Sequence, residues 1–251
     1  MRKDDRLLVQ LAFYVLAVPV FFLLAASAKP GNHSPKVVFA DTGIVLSRSS
    51  SIKSYLALGD SYTIGQSVPK NERYPAQTVA MLRTAGYSNL QAAEIIATSG
   101  WTTGNLLQAL KNKSYYPNYD LVTLLIGVNN QYQGGSLQQY RSQFSALLVK
   151  SIRFAGNRPN RVIVLSIPDY SVTPFATSSD RKKIARDIDS FNVVNKHIAD
   201  HYKVNYLNVT EESRKAAQNP SLIAYDGLHF SGKEYTVWTS MLVAKMMEVL
   251  K

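Results

Sequence analysis

The sequence predicts one α/β domain built on a parallel sheet, and three observations predict it. Five short apolar runs, rich in Val, Ile and Leu, recur between Tyr55 and Val209. Each is bounded by turn residues, as strands buried on both faces are. Longer amphipathic stretches separate them, and the strict strand–helix alternation closes most simply as a parallel sheet with right-handed crossovers.

The first segment belongs to an address rather than to that fold. Residues 1–6 carry Arg2, Lys3 and Arg6, an apolar run follows from Leu7 to Ala26, and Ala26-Ser27-Ala28 supplies small residues at a cleavage site. A charged start, an apolar middle and an A-x-A end make a secretory signal over residues 1–28. The competing reading is an uncleaved anchor, because about twenty apolar residues just span a bilayer. Gln10 and Pro19 interrupt the run, which favours cleavage. The expected location is therefore outside the cytoplasm, periplasmic or secreted, with anchoring through residues 7–26 as the alternative. Residues 29–51 are punctuated by Pro, Gly, Asn and Ser and read as a linker, with one short strand expected at Lys36–Ala40.

From residue 52 the domain runs to the C-terminus. Strands are expected at Tyr55–Leu58, Glu94–Ala97, Leu121–Ile126, Val162–Ile167 and Val204–Val209. Helices are expected near Pro75–Ala85, Thr103–Leu110, Leu137–Ala155, Arg181–His201 and Lys233–Leu250. Within Leu137–Ala155, Tyr140, Phe144, Leu147, Leu148 and Ile152 fall on one face, the stripe a sheet-covering helix needs. A chain of 251 residues buries a large core without covalent staples. The absence of cysteine excludes a Cys nucleophile, thiolate metal sites and disulfides. A net charge of +11 favours anionic surroundings such as a membrane surface, and says nothing about fold.

In such sheets chemistry sits at the carboxyl ends of the strands. The first strand is followed by Gly59-Asp60-Ser61-Tyr62, the second by Thr98-Ser99-Gly100-Trp101-Thr102-Thr103, and the third by Gly127-Val128-Asn129-Asn130. The loop before the last helix carries Asp226-Gly227-Leu228-His229. Acyl transfer uses these residue types. A serine hydroxyl becomes nucleophilic when a base such as His229 takes its proton. The base needs a carboxylate, here Asp226, to fix its tautomer and stabilise the imidazolium. The N–H groups of Ser61 and Gly100 and the side-chain amide of Asn129 are apt oxyanion donors. Each residue alone has a plainer reading: Gly and Asp make turns, Ser caps helices, and an Asp-x-x-His pair is a cap with an incidental histidine. One mechanism explains all four segments together.

These four segments resemble the conserved blocks of the SGNH (GDSL) hydrolases, in family order, over Tyr55 to about Leu242. The resemblance implies a flavodoxin-like three-layer α/β/α fold with a five-stranded sheet. It implies an esterase or lipase-type activity without a cofactor, with Ser61 as nucleophile, Gly100 and Asn129 as oxyanion donors, Asp226 as triad acid and His229 as base. Two positions depart from the family pattern: Asn130 and Trp101 stand where relatives commonly carry Asp, so altered local hydrogen bonding is expected around them. Tyr62, Trp101, Tyr132 and Tyr225 flank the catalytic segments and are candidates to line an acyl or sugar pocket.

Other chemistries fit less well. There is no Gly-x-Ser-x-Gly elbow, which disfavours the α/β-hydrolase family. The run from Gly227 to Lys233 resembles a phosphate loop until Glu234 replaces the required Ser or Thr. His197 and His201 lie one helical turn apart but lack a third ligand, so no metal site is expected. The Arg181–Arg186 cluster has no interleaved aromatics, which argues against nucleic acid. The expected partner is a small-molecule, lipid or glycan ester. An acyltransferase on the same scaffold and a non-catalytic cell-envelope binding protein are the alternatives.

Overall fold

The computed structural model describes residues 53–115 and 118–251. The expected leader, the linker and the short strand at Lys36–Ala40 lie outside the described residues. Five strands, β1 (Tyr55–Gly59), β2 (Glu94–Ala97), β3 (Leu121–Leu125), β4 (Val162–Leu165) and β5 (Asn205–Leu207), form one parallel sheet in the order β2-β1-β3-β4-β5. This is the expected three-layer α/β/α arrangement. Strands β1, β3 and β4 are buried along their whole length. Strands β2 and β5 are not, with Glu94 exposed and Ile95 and Ile96 half-buried. The expectation of burial on both faces fails at these two because they are the sheet edges, and an edge keeps one side toward water.

Strand order fixes where the helices go. α2 (Tyr74–Thr84) links β1 to β2 in one direction, whereas α3 (Thr103–Ala109), α5 (Leu137–Phe154) and α6 (Arg181–His201) follow strands that step the other way. Right-handed crossovers then place α2 on one face and the other three opposite. Accordingly α5 packs on α3 and α6, while α2 packs on the last helix, α8 (Gly232–Leu250). Three short helices escaped the sequence reading: α1 (Ser61–Ile64), α4 (Val128–Tyr132) and α7 (Thr210–Arg214). Each is too short for a hydrophobic period to mark it.

β1 lies between β2 and β3, which are reached by crossovers on opposite faces of the sheet, and this makes its carboxyl end a topological switch point. Gly59 pairs with Ala97 on one side and with Leu125 on the other. The chain therefore leaves all three strands at the same level. The turn after β1 is tight. A Cβ on Gly59 would lie 2.1 Å from Thr63 Oγ1 and 2.3 Å from the Leu125 carbonyl oxygen. α1 starts at once because the Asp60 carboxylate accepts the Tyr62 N–H at 3.1 Å, an N-cap. It stops at Gly65, which is left-handed at φ +67°.

Asp60 itself is fully buried, and its Oδ2 has no fully formed hydrogen bond among the described residues. Burial raises its pKa to about 7, against the opposing pull of the Tyr62 and Gly127 N–H groups. A carboxyl with a raised folded pKa contributes stability fully present below its unfolded pKa of about 3.9 and lost as pH rises through the folded value.

Two outcomes follow from this turn. Gly59→Ala should lower unfolding stability by about 3 kcal/mol or more, because the clash is with neighbouring backbone; urea unfolding within about 1 kcal/mol of wild type would contradict the packing. Asp60→Asn removes the titration. Its melting temperature relative to wild type should climb between about pH 4 and 7 and level off by about pH 8, whereas a pH-independent difference would mean that the buried carboxyl does not titrate there.

Candidate active site

The shared level of β1, β2 and β3 brings residues from three strand ends and one late loop around a single cleft of about 290 Å³. Ser61, Gly100, Asn129 and His229 all line it. Ser61 is the first residue of α1 and is 6% exposed. At that position its N–H has no partner along the helix, so it is available to a ligand.

His229 lies in the loop before α8 and is only 5% exposed. Its ring meets the edge of Tyr62 at 5.7 Å between centroids, and Tyr62 also packs on Phe230 and Trp238. This aromatic floor ties the histidine loop to α1 and α8. Nδ1 of His229 lies 2.6 Å from Asp226 Oδ2. A carboxylate at that distance assigns the ring hydrogen to Nδ1 and leaves Nε2 as the acceptor.

Asp226 is held by four donors. Oδ1 accepts the N–H groups of Leu228 and His229, each at 2.9 Å, while Oδ2 accepts His229 Nδ1 and, at 2.5 Å, the Ser67 hydroxyl. Partial burial works to raise the carboxyl pKa. The bonds from Ser67, His229 and the two backbone amides outweigh it and hold the group well below the usual carboxylate range. Asp226 is therefore an anion wherever His229 is asked to accept a proton.

Asn129 begins the second residue of α4, and its Nδ2 donates to the Trp101 carbonyl at 3.0 Å. That bond fastens the amide to the loop carrying Gly100 and leaves the second Nδ2 hydrogen for the cleft. Asn130, the departure beside it, is buried and turned the other way. Its Oδ1 accepts the Thr103 N–H at 2.9 Å, its Nδ2 donates to Thr103 Oγ1 at 2.8 Å, and that hydroxyl donates to Gln143 Oε1 at 2.6 Å. The altered hydrogen bonding expected at Asn130 is thus a closed chain that seats the start of α3. It does not displace Asn129 from the cleft.

Of the four candidate pocket aromatics, Tyr62 and Tyr132 line the cleft. Trp101 packs half-buried against the core outside that lining, and Tyr225 is 90% exposed. The apolar wall includes two residues not anticipated, Tyr170 and Phe175, from the short 3₁₀ turns that follow β4. With Tyr132 they form a cluster of three rings in edge-on and tilted contact, at centroid distances of 6.0–6.4 Å. The signal was available, since they follow a strand end like the other site residues. Gln66 and Ser99 add polar groups to the lining.

Comparison with known proteins gives a family and agrees with the fold. A family model, the GDSL-like lipase/acylhydrolase family, matches residues 57–237. Among solved structures, the chain is similar to an acetylxylan esterase, Axe2, from Geobacillus stearothermophilus, with a TM-score of 0.59 and 20% identity over 78% of this chain and 95% of that one. It is similar to the psychrotrophic esterase EstA from Pseudoalteromonas sp., with a TM-score of 0.60 and 17% identity over 79% and 98% of the two chains. TesA gives a TM-score of 0.61 and 18% identity over 78% and 99%. No curated protein matches the sequence. With three quarters of its length aligned to a common fold and the family model spanning the cleft residues, the chain belongs to the GDSL-like lipase/acylhydrolase family, a family of ester hydrolases.

Proposed function

We propose that the protein hydrolyses carboxylic esters through an acyl-enzyme, with Ser61 as nucleophile, His229 as base and Asp226 as the acid that orients it. The observation that carries this reading is the His229–Asp226 pair, 2.6 Å apart, on the cleft that Ser61 also lines. Ser61 Oγ attacks the ester carbonyl carbon while His229 Nε2 takes the hydroxyl proton. The carbonyl oxygen becomes an oxyanion facing the Ser61 and Gly100 N–H groups and the Asn129 amide. His229 returns the proton to the departing alcohol, the C–O bond breaks, and Ser61 is left acylated. Water then repeats the sequence, with His229 taking its proton, and releases the acid.

The lining of the cleft supports an ester with one apolar side. Val128, Tyr132, Tyr170, Phe175 and Leu228 offer apolar surface, and the cleft volume is at the small end for ligand pockets. Acyl lipids, lysophospholipids and acetylated glycans all present such a group. The basic charge and the residue 1–28 pattern support an exported enzyme working near anionic surfaces.

Turnover of p-nitrophenyl acetate and octanoate by residues 29–251 tests the mechanism. Ser61→Ala should lose about 10³-fold or more while keeping its fold by circular dichroism. Asn129→Ala should lose about 10²-fold in kcat with a smaller change in KM. Equal turnover by Ser61→Ala and wild type would remove Ser61 from the mechanism. Product analysis with an added alcohol separates hydrolysis from acyl transfer, an acyl–alcohol product in place of free acid marking the transferase.

A further inference from the structure

The turn that follows α1, residues 65–68, lies outside the four segments that carry the family resemblance, yet it reaches three parts of the site. The Gln66 N–H returns to the Ser61 carbonyl at 3.0 Å. Gln66 Oε1 accepts the hydroxyl hydrogen of Ser99, the residue before Gly100. Ser67 Oγ donates to Asp226 Oδ2 at 2.5 Å, the same oxygen that receives His229 Nδ1.

Ser67 does this from an unusual backbone. Its φ is +67°, in the left-handed region where a side chain crowds its own carbonyl and where glycine or asparagine is preferred. Strain of this kind persists only where surrounding contacts hold it, and it concentrates at functional sites. Here the contact that holds it is the bond to Asp226.

We propose that the Gln66–Ser67 turn is a positioning element of the active site, in which Ser67 fixes the Asp226 carboxylate against His229 and Gln66 fixes the loop that carries Gly100. The inference rests on the roles assigned to Asp226 and His229 above. Both bonds to Asp226 Oδ1 come from the backbone of its own loop, at Leu228 and His229. Among the described residues, Ser67 is the one donor to Asp226 from outside that loop. It connects the acid to the segment that bears the nucleophile. Asp226 is a loop residue with its side chain 22% exposed, so without Ser67 water competes for Oδ2 and the carboxylate plane is free to turn.

The test compares Ser67→Ala, Ser67→Gly and Gln66→Ala with wild type, using Ser61→Ala as the reference for the mechanism. Initial rates on p-nitrophenyl octanoate are read with thermal unfolding. Both Ser67 variants should lose about tenfold in kcat with KM within about twofold, the scale of one charged hydrogen bond. Ser67→Gly should melt at or above the wild-type temperature, since it relieves the left-handed strain, which separates the lost hydroxyl from lost folding. Gln66→Ala should also lower kcat with KM within about twofold. An inactive Ser61→Ala beside Ser67 variants with wild-type kcat would overturn this proposal alone. An active Ser61→Ala would overturn the mechanism and this proposal together.

Discussion

The register of β1 against its two neighbours is the constraint on which the rest of the site depends. Gly59 faces Ala97 and Leu125, so three loops leave the sheet at one height and Ser61, Gly100 and Asn129 meet without any long connection. A slip of one residue would turn every side chain of β1 to the other face and break its packing against the helices on both sides. Position at the rim is therefore inherited from the apolar core. The crowding at Gly59 makes the same point locally. The turn that leads into Ser61 has room for no side chain at Gly59, and α1 begins at the cleft that Ser61 lines.

A polar site on an apolar sheet requires every buried charge to be answered. The molecule answers in two ways. Asp226, near the surface, is surrounded by four donors and kept anionic. Asp60, one residue before Ser61 and fully buried, has one well-formed bond and is pushed to about 7. The two carboxyls thus separate by environment, one kept as the partner of a base and the other serving as a helix cap. Between them, Tyr62 does double duty as the residue whose N–H satisfies Asp60 and whose ring seats His229.

The sheet, its strand runs and the long helices were legible in the sequence because each repeats a period. α6 falls on Arg181–His201, as its pattern indicates. The cleft that Ser61, Gly100, Asn129 and His229 share was legible because residue types with one chemical use recur at strand ends and in the loop before the last helix. Other features carried no such signal. Burial at β2 and β5 depends on strand order, which apolar runs do not encode. Ser67 meets Asp226 across a separation that only the folded chain closes, and serine in a turn is unremarkable by composition. Tyr170 and Phe175 follow β4 and obey the strand-end rule, but no nucleophile or side-chain amide among them marks the segment by its chemistry. Trp101 and Tyr225 show the reverse, since adjacency in sequence to a catalytic residue did not put either side chain in the cleft.

The central claim is that Ser61 is a nucleophile activated by His229, and covalent capture tests it most directly. Incubation with a p-nitrophenyl alkylphosphonate, followed by peptide mass spectrometry, reads which atom attacks. The account predicts one adduct per chain on the peptide containing Ser61, formed far more slowly in His229→Ala. An adduct on another residue, or undiminished ester turnover with Ser61 unlabelled, would contradict it.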